Sequence, residues 1–190
     1  MDITKSDNPA LVLVDIQKGF DDINYWGGQR NNPDAEKNAA DILKLWRENN
    51  LPVFHIKHCS LIPVSPLNEA NKGNEFQEIV RPAAGETIIK KQVNSAFIGT
   101  TLKEQLDNKK ISKLVIAGLT TDHCISTTTR MAGNLGFDTF LVSDATATFN
   151  KKGPDGQNYP AELIHETALA SLHEEFARIV TTDFIKQRFK

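Results

Sequence analysis

Residues 114–124 read Leu114-Val115-Ile116-Ala117-Gly118-Leu119-Thr120-Thr121-Asp122-His123-Cys124. The apolar run before Gly118 is typical of a strand buried on both faces, as in a parallel sheet. The polar residues after it predict a tight turn and the first turn of a helix that carries Cys124. A thiol there experiences the positive end of the helix dipole, so we expect a lowered pKa and a nucleophilic thiolate. The turn also offers backbone N–H groups for an oxyanion, although a free cysteine is more often a small buried apolar residue.

Two other predicted strands end in charged residues that suit the same chemistry. The apolar run 11–14 is followed by Asp15, which therefore stands at the carboxyl end of a central strand, and the run 87–89 is followed by Lys90 and Lys91. Ligands bind at this edge of open α/β sheets. A carboxylate can act there as general base for a thiol, and an ammonium can keep that carboxylate ionised. Taken singly, Asp15 could equally cap its turn, and the lysines could be solvated surface residues.

Strands and helices alternate along the chain. Predicted strands cover about 10–15, 52–57, 87–90, 113–117, 138–143 and 178–181. Predicted helices run from Pro33 to about 50, from a Thr101–Glu104 capping box to about 108, from Cys124 to about 135, and over about 160–175. Residues 60–86, with a helical patch over 75–80, predict a lid or pocket wall, and 144–159 a loop. We expect one α/β domain over residues 1–190, a three-layer, doubly wound, six-stranded parallel sheet with helices on both faces.

Six motifs, in this order and spacing, resemble the isochorismatase-like cysteine hydrolases, a superfamily that includes nicotinamidases, N-carbamoylsarcosine amidohydrolases and isochorismatases. The motifs are Leu13-Val14-Asp15-Ile16-Gln17-Lys18-Gly19-Phe20, Lys91-Gln92-Val93-Asn94-Ser95-Ala96-Phe97-Ile98-Gly99-Thr100-Thr101-Leu102, Ala117-Gly118-Leu119-Thr120-Thr121-Asp122-His123-Cys124, Thr129-Arg130-Met131-Ala132, Gly136-Phe137-Asp138 and Val142-Ser143-Asp144-Ala145. They cover about residues 9–182. The resemblance implies the strand order 3-2-1-4-5-6, which places the ends of strands one and four side by side.

The resemblance also implies a catalytic triad. Asp15 would be the general base, Lys91 the lysine and Cys124 the nucleophile, whereas Lys90 would lie on the wrong face of its strand. The implied function is a cysteine-dependent hydrolase that cleaves the amide or ureido C–N bond of a small molecule through a thioester acyl-enzyme, without a cofactor.

Alternatives remain open. One is an isochorismatase-type vinyl-ether hydrolase, although isochorismatases proper lack the cysteine that Cys124 supplies here. Another is a non-catalytic or redox-sensing protein on the same fold. A flavodoxin-like protein is disfavoured, because the first strand–helix turn lacks a glycine-rich phosphate cradle and the chain has no C-x-x-C.

The resemblance implies further site residues around the triad. In relatives the peptide corresponding to Leu119–Thr120 is cis, which would direct the Thr120 N–H, beside the Cys124 N–H, toward an oxyanion. Candidate substrate-binding residues follow the first and fifth strands, and they are Phe20, Trp26, Arg30 and Phe149. Trp26 could stack on a planar substrate, or pack against the lid or a neighbouring subunit. Arg30 could hold a carboxylate, or form a surface ion pair.

The region after the second strand does not predict a metal site. Nicotinamidases carry an Asp, His and His metal set there, but here the segment 54–60 contains His55 and His58 with no aspartate nearby. Their i, i+3 spacing places them on opposite faces of a strand, so both could bind one metal only if the strand ended between them. We expect no metal, although a contact from either histidine stays open.

Composition excludes several classes of function. The net charge is −2 and the basic residues are scattered, which argues against nucleic-acid binding. No apolar run reaches the roughly 18 residues of a membrane span, and residues 1–9 have no signal-peptide core. The two cysteines, Cys59 and Cys124, are expected to be thiols in a reducing cytoplasm. A small-molecule substrate and a homodimer or homotetramer are the expected partners, the latter from the resemblance.

Overall fold

Six parallel strands form the central sheet of the computed structural model, which describes residues 2–189. In spatial order they are β3 (Thr87–Lys91), β2 (Val53–His58), β1 (Ala10–Val14), β4 (Lys113–Leu119), β5 (Asp138–Ala147) and β8 (Arg178–Val180). Two short strands, β6 (Lys151–Lys152) and β7 (Asn158–Tyr159), form a separate antiparallel hairpin. The predicted strand order is confirmed, except that the sixth strand of the sheet is the eighth in the chain because the hairpin precedes it.

Helices cover both faces of the sheet. They are α1 (Ile23–Trp26), α2 (Ala35–Glu48), α3 (Leu102–Asn108), α4 (Ser126–Asn134), α5 (Ala161–Leu172) and α6 (Thr182–Arg188). Val12 and Val14 of β1 pack with α3, α4 and α5, whereas Leu11 and Leu13 pack with α2 and α6. Alternate residues of one strand thus enter two separate apolar layers, which is why β1 is apolar throughout. Among residues 2–189, no helix combines the length and the apolar character that crossing a bilayer requires.

Several predicted elements differ from the structure. Strand β5 continues to Ala147, so the predicted loop over 144–159 contains the end of a strand and the β6–β7 hairpin. Helix α6, which follows the last strand, was not predicted from the sequence. The capping box at Thr101 is wrong, because its hydroxyl accepts a hydrogen bond from the Gln105 side chain and caps no backbone N–H. The helical patch is a single 3-10 turn at Glu78–Val80, and a second such turn lies at Lys72–Asn74.

One glycine allows β1 and β4 to approach each other closely at their carboxyl ends. Gly118 pairs with Val14 and has a φ of 132°, a conformation that L side chains rarely adopt. A Cβ atom at this position would lie 2.0 Å from the Val14 carbonyl oxygen. The bare backbone of Gly118 therefore permits the contact that brings the residues following β1 and β4 together.

Candidate active site

The Lys91 ammonium lies at the centre of a buried polar cluster. Its Nζ is 2.6 Å from Asp15 Oδ2, 3.0 Å from His58 Nδ1 and 3.2 Å from Cys124 Sγ. An ammonium has three N–H donors and no acceptor, so these three contacts account for its full hydrogen-bonding capacity. The side chains of Lys91 and Asp15 are both 0% exposed. Lys90 instead forms an ion pair with Glu69 at the surface, which confirms that it lies on the other face of β3.

The local backbone explains how these side chains meet. Asp15 is the first residue after β1 and has a φ of 54° in the left-handed region. His58 and Lys91 are register partners at the carboxyl ends of β2 and β3. Cys124 lies in a π-helical turn, Thr121–Ile125, that leads into α4. The Leu119–Thr120 peptide bond is cis, as the resemblance implied.

Asp15 has one engaged and one free carboxylate oxygen. Oδ2 accepts the hydrogen bond from Lys91, whereas Oδ1 is buried without a hydrogen-bond partner among residues 2–189. A carboxylate oxygen of Asp15 also lies within 4.8 Å of Cys124 Sγ. Because a buried acceptor without a partner is costly, this oxygen is well suited to take a proton from a neighbouring donor.

The surroundings set the protonation states of the cluster. Burial raises the pKa of the Cys124 thiol, the Asp15 carboxylate raises it further, and Lys91 only partly opposes them. The expected lowering of this pKa is therefore wrong, because burial and the Asp15 charge raise it. Burial lowers the pKa of Lys91, but the charge of Asp15 and the hydrogen bonds to Asp15 and Cys124 outweigh that effect and raise it, so Lys91 is an ammonium. Burial, followed by the charge of Lys91, lowers the pKa of His58, which keeps its imidazole neutral.

The same cluster does not fit a metal ion. Donor atoms of Asp15, His58 and Cys124 lie within 4.8 Å of one another and offer the O, N and S ligands that Zn²⁺ accepts. The Lys91 ammonium, however, lies within hydrogen-bonding distance of all three and occupies the position that a cation would take. His55 serves a different site, because its Nε2 lies 2.7 Å from Glu86 Oε2. The two histidines thus act at separate places, as their spacing predicted.

The four predicted substrate-binding residues form one cluster of their own. The Phe20 and Trp26 rings stack with centroids 4.6 Å apart, and each lies 6.3 Å from the Phe149 ring. Phe20 is 3% exposed and Phe149 0%, so both rings are buried within this part of the core. Arg30 donates to Glu36 Oε2 at 2.6 Å, and its guanidinium lies 6.0 Å from the Phe149 ring centroid. Arg30 therefore has the ion pair foreseen as the alternative, and contact of these four residues with substrate stays a prediction.

Sequence reasoning did not place two residues beside Lys91 and Cys124. The sequence leaves His58 as a metal ligand or as a strand-end histidine with ordinary hydrogen bonds, whereas in the structure it contacts Lys91. Asn94 is exposed, and its Oδ1 lies 3.9 Å from the Cys124 thiol that donates to it. The sequence feature that could have predicted this contact is the position of His58 at the end of β2, since Lys91 lies at the end of the neighbouring strand β3. Cys59 and Cys124 are both free thiols, as expected.

Comparison with known proteins agrees with this arrangement. The family description "isochorismatase domain" matches residues 9–184. The chain belongs to the isochorismatase family. It is 53% identical over 174 residues to YrdC, an uncharacterised isochorismatase family protein of Bacillus subtilis, covering 92% of each chain. A crystal structure of an isochorismatase family protein from Chromobacterium violaceum is 40% identical with a TM-score of 0.93, covering 100% of this chain and 98% of the other. Nicotinamidase 3 of Arabidopsis thaliana is 27% identical over 191 residues, covering 94% of this chain and 87% of its own.

Proposed function

We propose that the protein hydrolyses the C–N bond of a small amide or ureido compound through a thioester on Cys124. The observation that carries the proposal is the difference in hydrogen bonding between the two carboxylate oxygens of Asp15. Lys91 holds one of its oxygens, and the other has no partner within the described chain and belongs to a carboxylate beside the thiol. This is the arrangement of a general base next to a nucleophile.

In the acylation half-reaction, Asp15 takes the Cys124 proton as the sulfur forms a bond to the substrate carbonyl carbon. The carbonyl π electrons move to oxygen, where we place the Thr120 and Cys124 backbone N–H groups as donors. When the tetrahedral intermediate collapses, the C–N bond breaks, and the leaving nitrogen takes the proton from Asp15. The products of this half-reaction are the free amine, or ammonia, and the Cys124 thioester.

In the deacylation half-reaction, Asp15 takes a proton from water as the water oxygen attacks the thioester carbonyl. The second tetrahedral intermediate expels the Cys124 sulfur, which regains a proton from Asp15. The carboxylic or carbamic acid leaves, and the resting site is restored. Both half-reactions use the same proton acceptor, so one carboxylate with a free oxygen is sufficient.

Lys91 supports both steps by its charge. Because the resting thiol has a raised pKa, the thiolate forms only as its proton moves to Asp15. At that moment the negative charge shifts from the carboxylate to the sulfur, and Lys91 contacts both atoms. The ammonium can therefore stabilise the charge before and after the transfer without moving.

The substrate class rests on two further points. Cys124 provides the nucleophile of an acyl-transfer reaction, which favours a C–N bond at a carbonyl over a vinyl ether. A relative that shares most of this chain's length is a nicotinamidase by name, and nicotinamide is a small amide. Arg30 is paired with Glu36, so a carboxylate on the substrate would have to compete with that ion pair.

The test is an assay for release of ammonia or free amine across a panel of small amides and ureido compounds. Wild type is compared with Cys124→Ala, each with and without a metal chelator. We expect turnover that disappears in the variant and survives the chelator. Equal release by both proteins, or release that only the chelator stops, would contradict the mechanism.

A further inference from the structure

The third partner of the Lys91 ammonium, His58, takes no proton and forms no bond in the proposed reaction. We propose that His58 is a positioning residue whose neutral imidazole accepts the third N–H of Lys91 through Nδ1 and holds the ammonium against Asp15 and Cys124. This inference rests on the proposed function, since it gives His58 a role in aligning the same reaction. It assigns the residue no contact with the reacting atoms.

The backbone of His58 is held firmly in place. Its N–H donates to Gln17 Oε1 at 2.9 Å, and its carbonyl oxygen accepts from Gln17 Nε2 at 3.1 Å and from Asn74 Nδ2 at 2.9 Å. Gln17 is 0% exposed and Asn74 is 3% exposed, so these bonds are shielded from water. Two amide side chains from different segments thus fix the end of β2, from which the imidazole reaches Lys91.

Hydrogen-bond polarity determines which form of the imidazole fits. Because an ammonium can only donate, His58 Nδ1 must be the unprotonated nitrogen, and the ring proton must be on Nε2. A doubly protonated ring would place a second cation 3.0 Å from Lys91 Nζ, with the single Asp15 carboxylate to balance both charges. The geometry therefore specifies one neutral tautomer.

Loss of this acceptor should affect the thiol. A buried ammonium with an unused N–H gains by turning toward other acceptors or toward water, and it then leaves its place beside Asp15 and Cys124. Lys91 would stabilise the Cys124 thiolate less well. The measurable result is slower reaction of the thiol with an alkylating agent at a given pH.

The chain offers a matched pair of variants. In asparagine, Oδ1 occupies the place that Nδ1 has in histidine, so His58→Asn keeps the acceptor, whereas His58→Leu removes it. Both are made in a Cys59→Ala background, which leaves Cys124 as the reacting thiol. Second-order rates of alkylation by iodoacetamide are measured from pH 6 to 10, with thermal melting as the check on folding. If His58→Leu does not fold, His58→Ala takes its place.

We expect His58→Leu to react about tenfold more slowly at pH 7, with its profile shifted to higher pH, and His58→Asn to stay within about threefold of the background. Equal rates in all three proteins would overturn the proposal. Equally slow alkylation in both variants would also overturn it, because His58→Asn keeps the hydrogen-bond acceptor and should then keep the rate.

A second measurement reads the tautomer directly in the wild-type protein. Long-range ¹H–¹⁵N spectra of the wild-type protein labelled in histidine, with the His58 signal identified by its loss in His58→Asn, should show the Nε2–H tautomer at pH 7. An Nδ1–H tautomer or an imidazolium would overturn the proposal. Neither experiment uses a substrate, so absence of amide turnover would count against the proposed function alone.

Discussion

Replacing Lys91 with methionine tests how the buried charges support one another. The substitution keeps the apolar stem and removes the charge, so Asp15 loses the partner of its Oδ2. At an effective dielectric constant of about 20, two unit charges 2.6 Å apart attract by about 6 kcal/mol, which is offset by a desolvation cost of several kcal/mol per ion. Breaking such a pair from one side typically costs about 3–5 kcal/mol, because the remaining charge is buried alone.

The double variant shows how much of the cost of a single substitution comes from the unpaired charge that it leaves buried. Asp15→Asn combined with Lys91→Met removes both charges, so no unpaired ion is left in the core. We therefore expect the double variant to lose about 3 kcal/mol less free energy of unfolding than the two single substitutions lose in sum. Asp15 can also relieve its isolation by taking up a proton, so Lys91→Met alone should be less destabilising at pH 5 than at pH 8.

Urea denaturation of the four proteins, followed by circular dichroism at both pH values, measures these differences. Equal denaturation slopes are required for the comparison, since a changed slope would indicate altered denatured or native states. Additive single effects, or a cost of Lys91→Met that does not depend on pH, would refute the assignment of Asp15 and Lys91 as a buried ion pair.

Three further substitutions have definite expected outcomes. Asp15→Asn should abolish turnover yet speed alkylation of Cys124 at pH 7, because removal of the carboxylate lowers the pKa of the thiol; slower alkylation would contradict this. Gly118→Ala should lower the free energy of unfolding, measured by urea denaturation, by at least about 2 kcal/mol more than Gly85→Ala does. Both glycines have a positive φ, but only a Cβ at Gly118 would collide with a carbonyl of β1, so equal losses would contradict this explanation. Although burial raises the pKa of Glu86, hydrogen bonds lower it from 4.5 to about 2, so stability present above pH 4.5 is lost as the pH falls toward 2. The wild-type advantage over Glu86→Gln, about 3 kcal/mol at pH 7, should disappear across that interval, and a constant difference would refute it.

The sheet and the cluster of charges were predictable because both depend on short-range patterns. A strand that lies between two helical layers must be apolar at every position, as residues 10–14 and 114–117 are. Parallel strands end at one edge, so Asp15, Lys91 and Cys124 were expected to meet once each was placed after a strand.

The features that sequence reasoning missed depend on tertiary contacts. The segment around the end of β5 contains several threonines and resembles a loop. Thr146 and Thr148 are nevertheless fully buried, and their hydroxyls contact Thr121 and Asp122. The direction of the Cys124 pKa shift depends on burial and on a charge from another strand, neither of which the local motif contains.

The proposed reaction passes through a thioester on Cys124. The most direct test is acid quenching of wild-type protein during the first turnover of an amide that it hydrolyses, followed by mass spectrometry of the peptide that contains Cys124. We predict an acyl adduct on this cysteine that forms and decays at rates sufficient to account for release of the amine. Ammonia released with Cys124 unmodified at every time point, and Cys124→Ala still turning over, would rule out the thioester.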